Sequence, residues 1–299
     1  MACGMKLNVV MVGRDIKLIC RGNSNVGVTT PFVDQDFARA QQTRCVNVVC
    51  MKWGTRYGPE WVNRLYGMVQ RNTTWTVRFV CLTDDATGIR PEVEVKPLPY
   101  VKFDPSLGRY WPKLGLMQAD LGGPDNPLVG LSLFLDLDLV IIGSLDQFFT
   151  YPGRFLIIKE WKDPHLGYGN SSVVRWSIGR EANILERFYA TDPQVIRDTY
   201  ASKEQNFLTK AADEVSFWPS AWCVPFSHAC LPRNRVLRFF SLPKPPADGK
   251  ILVFFGSITP ASALRGEHEI KKRVSEGMRL NLTQRRFRPA NWINDYWRE

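Results

Sequence analysis

The sequence predicts an α/β protein with a mostly parallel sheet flanked by helices, and three observations carry that prediction. The run Leu131–Gly143 (LSLFLDLDLVIIG) is dense in Leu, Ile and Val and bounded by glycines, as expected of a strand buried on both faces. Residues 45–82 alternate an apolar strand, an amphipathic helix and a second apolar strand. The remaining apolar segments are short and separated by loops rich in Gly, Pro and Asp.

In chain order, Met5–Val12 and Ile16–Cys20 read as short strands, and 21–31 is rich in Gly, Asn and Thr. Residues 29–42 have room for one helical turn, so 1–44 reads as a poorly packed extension or an edge hairpin. Cys45–Met51 is a buried strand, followed by the loop KWGTRYGP and a helix over about 60–71. Trp61, Leu65, Tyr66 and Met68 fall along one side of that helix. Val77–Leu82 and Val93–Pro97 are the next strands. Trp111–Leu121 reads as a helix with Pro112 in its first turn.

Beyond Gly143 the pattern predicts helices over 145–149, 182–189, 192–201 and 205–211. Strands are predicted over 155–158, 170–176, 217–219, 236–240 and 251–255. Residues 265–288 carry eight basic and three acidic side chains, with Ile270, Val274 and Met278 at helical spacing. Trp292, Ile293 and Trp297 are placed to dock a short closing helix. The expected organisation is an extension (1–44), a main domain (45–264) and a basic appendage (265–299). Within the main domain, a nucleotide half (45–142) precedes an acceptor half (143–264).

The chemistry concentrates in the central run. Aspartates are almost never fully buried unless paired or metal-bound, so Asp136 and Asp138 need a reason. Residues two apart on a strand share a side, which lets both carboxylates converge on one ligand. A divalent cation with oxygen ligands is the natural candidate; the alternative is a strand end where the acids meet water or an arginine.

Composition narrows the field. The 299 residues are 44% hydrophobic with a net charge of +10, ordinary for a globular protein and favourable to acidic partners such as phosphates, lipid headgroups or nucleic acid. Seven cysteines form no CxxC pair, which fits reduced, mostly buried thiols in a cytoplasmic protein. No apolar run is long enough to span a membrane, and the apolar start is too short for a signal peptide.

Several stretches together resemble one bacterial branch of the GT-A glycosyltransferases, related to the family-eight retaining enzymes. They are VVCMKWGTRYGPEWVNRLYGMVQRN, RFVCLTDD, WPKLGLMQADL, FLDLDLVIIGSLD, NSSVVRW and ANWINDYWRE, in that family's order and spacing over residues 45–299. The resemblance implies a GT-A fold and transfer of a hexose from a nucleotide-diphosphate sugar to a glycan or lipid-linked acceptor. It places Trp53, Gly54 and Tyr57 on the base and ribose, Asp84 at the edge of the nucleotide pocket, and Lys113 towards phosphate. Asp136 would meet ribose and metal, Asp138 the metal (Mn²⁺ or Mg²⁺), and Asn170 the donor sugar. Glu204 and Gln205 fall where relatives carry an acid and a Gln beside the reacting carbon.

One position departs from the family. The relatives supply a third metal ligand from a histidine, and this chain has Phe255 there. Two aspartates and the diphosphate would then hold the cation, or the protein is a catalytically degenerate descendant. The basic segment 265–288 suggests peripheral contact with an anionic membrane, or a solvated helix face. Gly54-Thr55-Arg56 also allows a sugar-nucleotide nucleotidyltransferase, although no glycine-rich run precedes it. The high positive charge allows a nucleic-acid binder, a reading disfavoured by the absence of any recognition motif.

Overall fold

The computed structural model describes residues 8–12, 15–19, 34–108, 111–273 and 279–299, with 8–12, 15–19, 270–273 and 279–285 described by their backbone. The chain divides into two compact units, residues 1–35 and 36–299. In the first, β1 (Asn8–Val12) and β2 (Asp15–Ile19) pair antiparallel with Val12 opposite Asp15. The predicted ends Met5–Leu7 and Cys20, and the 21–31 segment, lie outside the described residues.

The second unit starts earlier than the expected boundary at 45. A full helix, α1 (Gln35–Thr43), replaces the single turn the sequence suggested. Phe37 and Ala40, one turn apart, pack on the core, and Gln41 Nε2 donates to Phe149 O at 2.6 Å. Tertiary burial makes this a helix where local propensity was weak.

β3 (Cys45–Lys52), α2 (Pro59–Arg71), β4 (Thr76–Thr83) and β5 (Glu94–Pro97) follow as expected. Pro59 opens α2, whose Val62, Leu65, Met68 and Val69 are buried. The predicted helix at 111–121 is instead a 3₁₀ segment, Trp111–Met117. Gly115 weakens an α-helix, and a Cβ there would lie 2.6 Å from Pro99, so close packing holds the tighter turn.

The central run splits into β6 (Leu131–Leu135) and β7 (Leu139–Ile141). After α3 (Asp146–Thr150) come β8 (Phe155–Lys159) and β9 (Gly169–Ser177). The helices α4 (Asn183–Ala190), α5 (Pro193–Tyr200) and α6 (Glu204–Ala211) lead to β10 (Val215–Phe217). The seven-stranded sheet has the order β10-β8-β9-β6-β3-β4-β5. Only β9 runs antiparallel to its neighbours, so the sheet is mixed and mostly parallel, as the sequence predicted.

Strand alternation divides the core in two. Val48, Cys50, Phe79, Cys81, Leu133 and Leu135 face one cluster with α2, while Val49, Met51, Val80, Leu82 and Phe134 face the other with Trp111 and α4–α6. Both faces are covered, which is why these strands read as near-continuous apolar runs.

A second sheet, of order β11-β12-β7, is built from β11 (Cys223–Pro225), β12 (Ile251–Val253) and β7, with α7 (Phe226–Ala229) following β11. The predicted strand at 236–240 is a 3₁₀ turn, Leu237–Phe239: most of its side chains are exposed and no strand is paired with it. After α8 (Pro260–Arg265), the expected basic helix is a hairpin of β13 (Glu267–Arg273) and β14 (Arg279–Arg285), with Ile270 opposite Leu282. Ile270 lies in a strand and not on a helix; Val274 and Met278 lie outside the described residues.

The closing helix α9 (Ile293–Tyr296) docks as expected, with Ile293 and Trp297 buried. Trp297 packs edge-on against Trp61, and Arg71 donates to the carbonyls of Tyr296, Arg298 and Glu299. Residues 296–299 are thus tied to α2. Among the described residues Cys50, Cys81, Cys223 and Cys230 are buried, Cys45 is exposed and all five are free thiols. No described helix is long and apolar enough to cross a membrane.

Candidate active site

The site forms where the carboxyl ends of β3 and β6 lie side by side, the usual place for a ligand in an open α/β sheet. β6 ends at Leu135 because the chain leaves one sheet for the other, and Asp136 N donates to Ser172 O at 3.0 Å as it turns. The two aspartates therefore do not share one face of a continuous strand. They sit in the turn between β6 and β7, and both line a cavity of about 550 Å³. Leu137 between them is buried and anchors the turn.

The β3–α2 loop supplies Trp53, Arg56 and Tyr57 to the cavity wall. Gly54 has φ +60, open to glycine without strain, and its N–H donates to Asp84 Oδ2 at 3.1 Å. Asp84 and Gly54 are outside the cavity lining, and Asp84 pins the loop from behind the cavity wall. Buried Lys52 adds a second tie, donating to Asp85 O at 3.0 Å.

Tyr57 OH donates to Asp138 Oδ2 at 2.7 Å, and Arg56 lies over the Tyr57 ring. Burial and the Asp138 charge push the Tyr57 phenol well above its ordinary range, so it remains a donor. Lys113 Nζ lies 2.7 Å from Asp136 Oδ1 and donates to Ser171 O and Oγ at 3.1 and 3.2 Å. Burial opposes the ammonium charge, but Asp136 and Glu204 outweigh it and raise Lys113 above its ordinary value. Asp138 is pushed up to about 6, first by burial and then by the neighbouring Asp136.

Opposite these residues, α6 begins with Glu204 and Gln205. Burial raises the Glu204 carboxyl, whose Oε1 accepts from Ser171 Oγ at 2.5 Å. Gln205 is held from two sides: Asn170 Nδ2 approaches its Oε1 at 3.4 Å, and its Nε2 donates to Glu160 Oε2 at 3.1 Å. Asn170 does not line the cavity; it positions Gln205 and accepts from Ser172 N at 3.1 Å. Glu160 also accepts from Trp161 N, tying Gln205 to the β8–β9 loop.

Of the residues singled out from the sequence, Trp53, Tyr57, Lys113, Asp136, Asp138, Glu204 and Gln205 meet at one cavity, while Gly54, Asp84 and Asn170 stand behind its wall. Sequence reasoning missed Ser171, Ser172, Ser202, Lys203 and the bracing Glu160, and singled out Arg56 only within the alternative Gly-Thr-Arg reading. Ala201 and Ser202 both have φ +51, an uncommon conformation for residues with a Cβ, and lead into α6.

Phe255 lines the cavity and is 46% exposed, with its ring stacked on Trp161 and edge-on to His228. His268 offers no replacement ligand: its Nδ1 is 3.2 Å from Ser257 Oγ, it packs on Phe287, and it does not line the cavity. Among the described residues no group of three or more His, Cys, Asp or Glu side chains forms a ready-made metal cage. Two carboxylates crowding one another nevertheless suit a hard divalent cation. Mg²⁺-type sites commonly use one or two carboxylates and complete their shell with substrate phosphates.

No protein-family model matches the chain, and no curated protein matches its sequence. Solved structures of similar shape include the apo form of the WbbM bifunctional glycosyltransferase (TM-score 0.47, 14% identity, 72% of this chain and 46% of that one). Others are the galactosyltransferase LgtC in complex with donor and acceptor sugar analogues (0.47, 12%, 72% and 88%) and the glycosyltransferase GlyE of Streptococcus pneumoniae TIGR4 (0.48, 14%, 72% and 56%). The chain spans about half the length of WbbM and GlyE. At these identities and scores the site has to be read from its own residues.

Proposed function

We propose that this chain transfers a hexose from a nucleotide-diphosphate sugar to a glycan or lipid-linked acceptor. The observation that carries this reading is the meeting, in one cavity, of an aromatic loop (Trp53, Tyr57), a carboxylate pair (Asp136, Asp138) and the braced Glu204-Gln205 pair. Trp53 and Tyr57 offer faces to a base and ribose. Arg56, Lys113 and Lys203 give the cavity three cations for a diphosphate.

Asp136 and Asp138 would hold Mn²⁺ or Mg²⁺ together with the diphosphate, and such a cation neutralises charge on the leaving group. Lys113 orients Asp136 and Tyr57 orients Asp138, each through a 2.7 Å contact. Gln205, fixed by Asn170 and Glu160, would present its carboxamide to the sugar. Glu204, buried and bonded to Ser171, keeps an oriented carboxyl beside it. The nucleotidyltransferase reading is weaker because the Gly54 amide is already engaged by Asp84 and no glycine-rich run precedes it.

The test is calorimetric titration with UDP and GDP, each with Mn²⁺ and with EDTA, using Asp138→Ala as control. Metal-dependent binding of one nucleotide that Asp138→Ala abolishes is expected. No binding of either nucleotide by folded protein sinks the proposal.

A further inference from the structure

The exposed apolar surface of this chain is unevenly distributed. Val236, Leu237, Phe239, Phe240 and Leu242 are 48–73% exposed and fall within seven consecutive residues around the 3₁₀ turn. Single exposed apolar residues are normal on a protein surface, but a cluster of five marks an interaction site. The same segment carries Arg233, Arg235, Arg238 and Lys244 and no acidic residue between Cys230 and Asp248. None of these four cations takes part in an ion pair among the described residues.

Further positive charge gathers beside them. Arg288 N donates to Arg238 O at 2.9 Å, and His268, already disfavoured as a cation by burial, is lowered further by Arg286, Arg238 and Arg235.

We infer that residues 233–244 form a docking surface for an anionic lipid bilayer. Val236, Leu237 and Leu242 have no hydrogen-bonding side chains and suit hydrocarbon, Phe239 and Phe240 suit the acyl boundary, and the flanking cations suit anionic headgroups. The charge of this segment is of one sign throughout, which complements the uniformly anionic headgroup layer of such a bilayer. The expected membrane contact is thereby placed on a loop the sequence had assigned to a strand. Bilayer binding needs no nucleotide, so the inference stands or falls separately from the transferase reading.

The experiment is co-sedimentation of the full chain with phosphatidylcholine vesicles, with and without phosphatidylglycerol. Wild type is compared with Phe240→Ser/Leu242→Ser and Arg233→Ser/Arg235→Ser, and thermal melting by circular dichroism checks that each variant is folded. Binding is expected only to the anionic vesicles, weakening as salt is raised. The apolar double variant should bind at least about tenfold more weakly. The charge variant should lose roughly fivefold per cation, about 25-fold in all. Absence of binding, equal binding to neutral vesicles, or folded variants that bind like wild type would overturn the inference. So would substitutions that alter only self-association measured by light scattering, which would assign the patch to a second copy.

Discussion

Asp138→Asn should stabilise the ligand-free protein while removing its affinity for nucleotide. A carboxyl raised from 3.8 to about 6 on folding is one whose ionisation the fold opposes. Each pH unit of such displacement corresponds to about 1.4 kcal/mol, giving an upper bound of about 3 kcal/mol at pH 7. Asp138 is only half-buried, and water entering the cavity screens the repulsion from Asp136, so about 1–2 kcal/mol is the expected gain. The sign follows from the raised value. The stabilising contribution is complete below pH 3.8 and is lost as pH rises through about 6, so wild type pays the penalty at neutral pH and the amide does not. Asparagine keeps an oxygen to accept from Tyr57 OH, so the local geometry has no reason to collapse. The assay is urea unfolding in EDTA at pH 4, 5, 6 and 7, wild type against variant. The difference in stability should grow between pH 4 and 7. A variant that is less stable at pH 7, or a difference independent of pH, would refute the reasoning.

Other perturbations test the framework around the site. Lys113→Met leaves Asp136 beside Asp138 and Glu204 without its cation, and should cost about 2 kcal/mol of stability and weaken nucleotide binding at least tenfold by calorimetry. Fully buried Arg175 donates to the carbonyls of Phe148, Tyr151 and Gly153; Arg175→Met should cost at least about 3 kcal/mol in urea unfolding, since those acceptors lose their donors. Gly67→Ala should weaken docking of the closing segment, because its Cβ would lie 2.5 Å from Glu299; hydrogen exchange at 293–299 should speed up relative to β3. Ala201→Gly should stabilise by about 1 kcal/mol, read as a rise in melting temperature, because φ +51 is strained for alanine and free for glycine.

Much of this molecule was legible in the order of its side chains. β3, β4 and the first half of the central run are apolar on both faces because helices and 3₁₀ turns cover both sides, and such runs identify themselves without knowledge of their partners. Periodicity found α2, and α4 to α6 emerged close to their expected limits. Asp136 and Asp138 were conspicuous because carboxylates are costly inside an apolar run. The aromatic loop, Lys113 and the Glu204-Gln205 pair, singled out by resemblance, converge with them on one cavity.

What local pattern could not decide was set by distant contacts. α1 exists because Phe37 and Ala40 find a core to cover, and the basic segment pairs as a hairpin although its apolar spacing suggested a helix. The break after Leu135 depends on β7 joining β12, a strand more than a hundred residues away, and that break turns the two aspartates into the cavity. Glu160 and Ser171 are ordinary in sequence and become bracing groups only when α6 is laid against β9. The exposed patch at 236–242 read as a strand because its composition is apolar; only the tertiary fold leaves it unpaired, since pairing and burial are properties of neighbours and not of the segment itself.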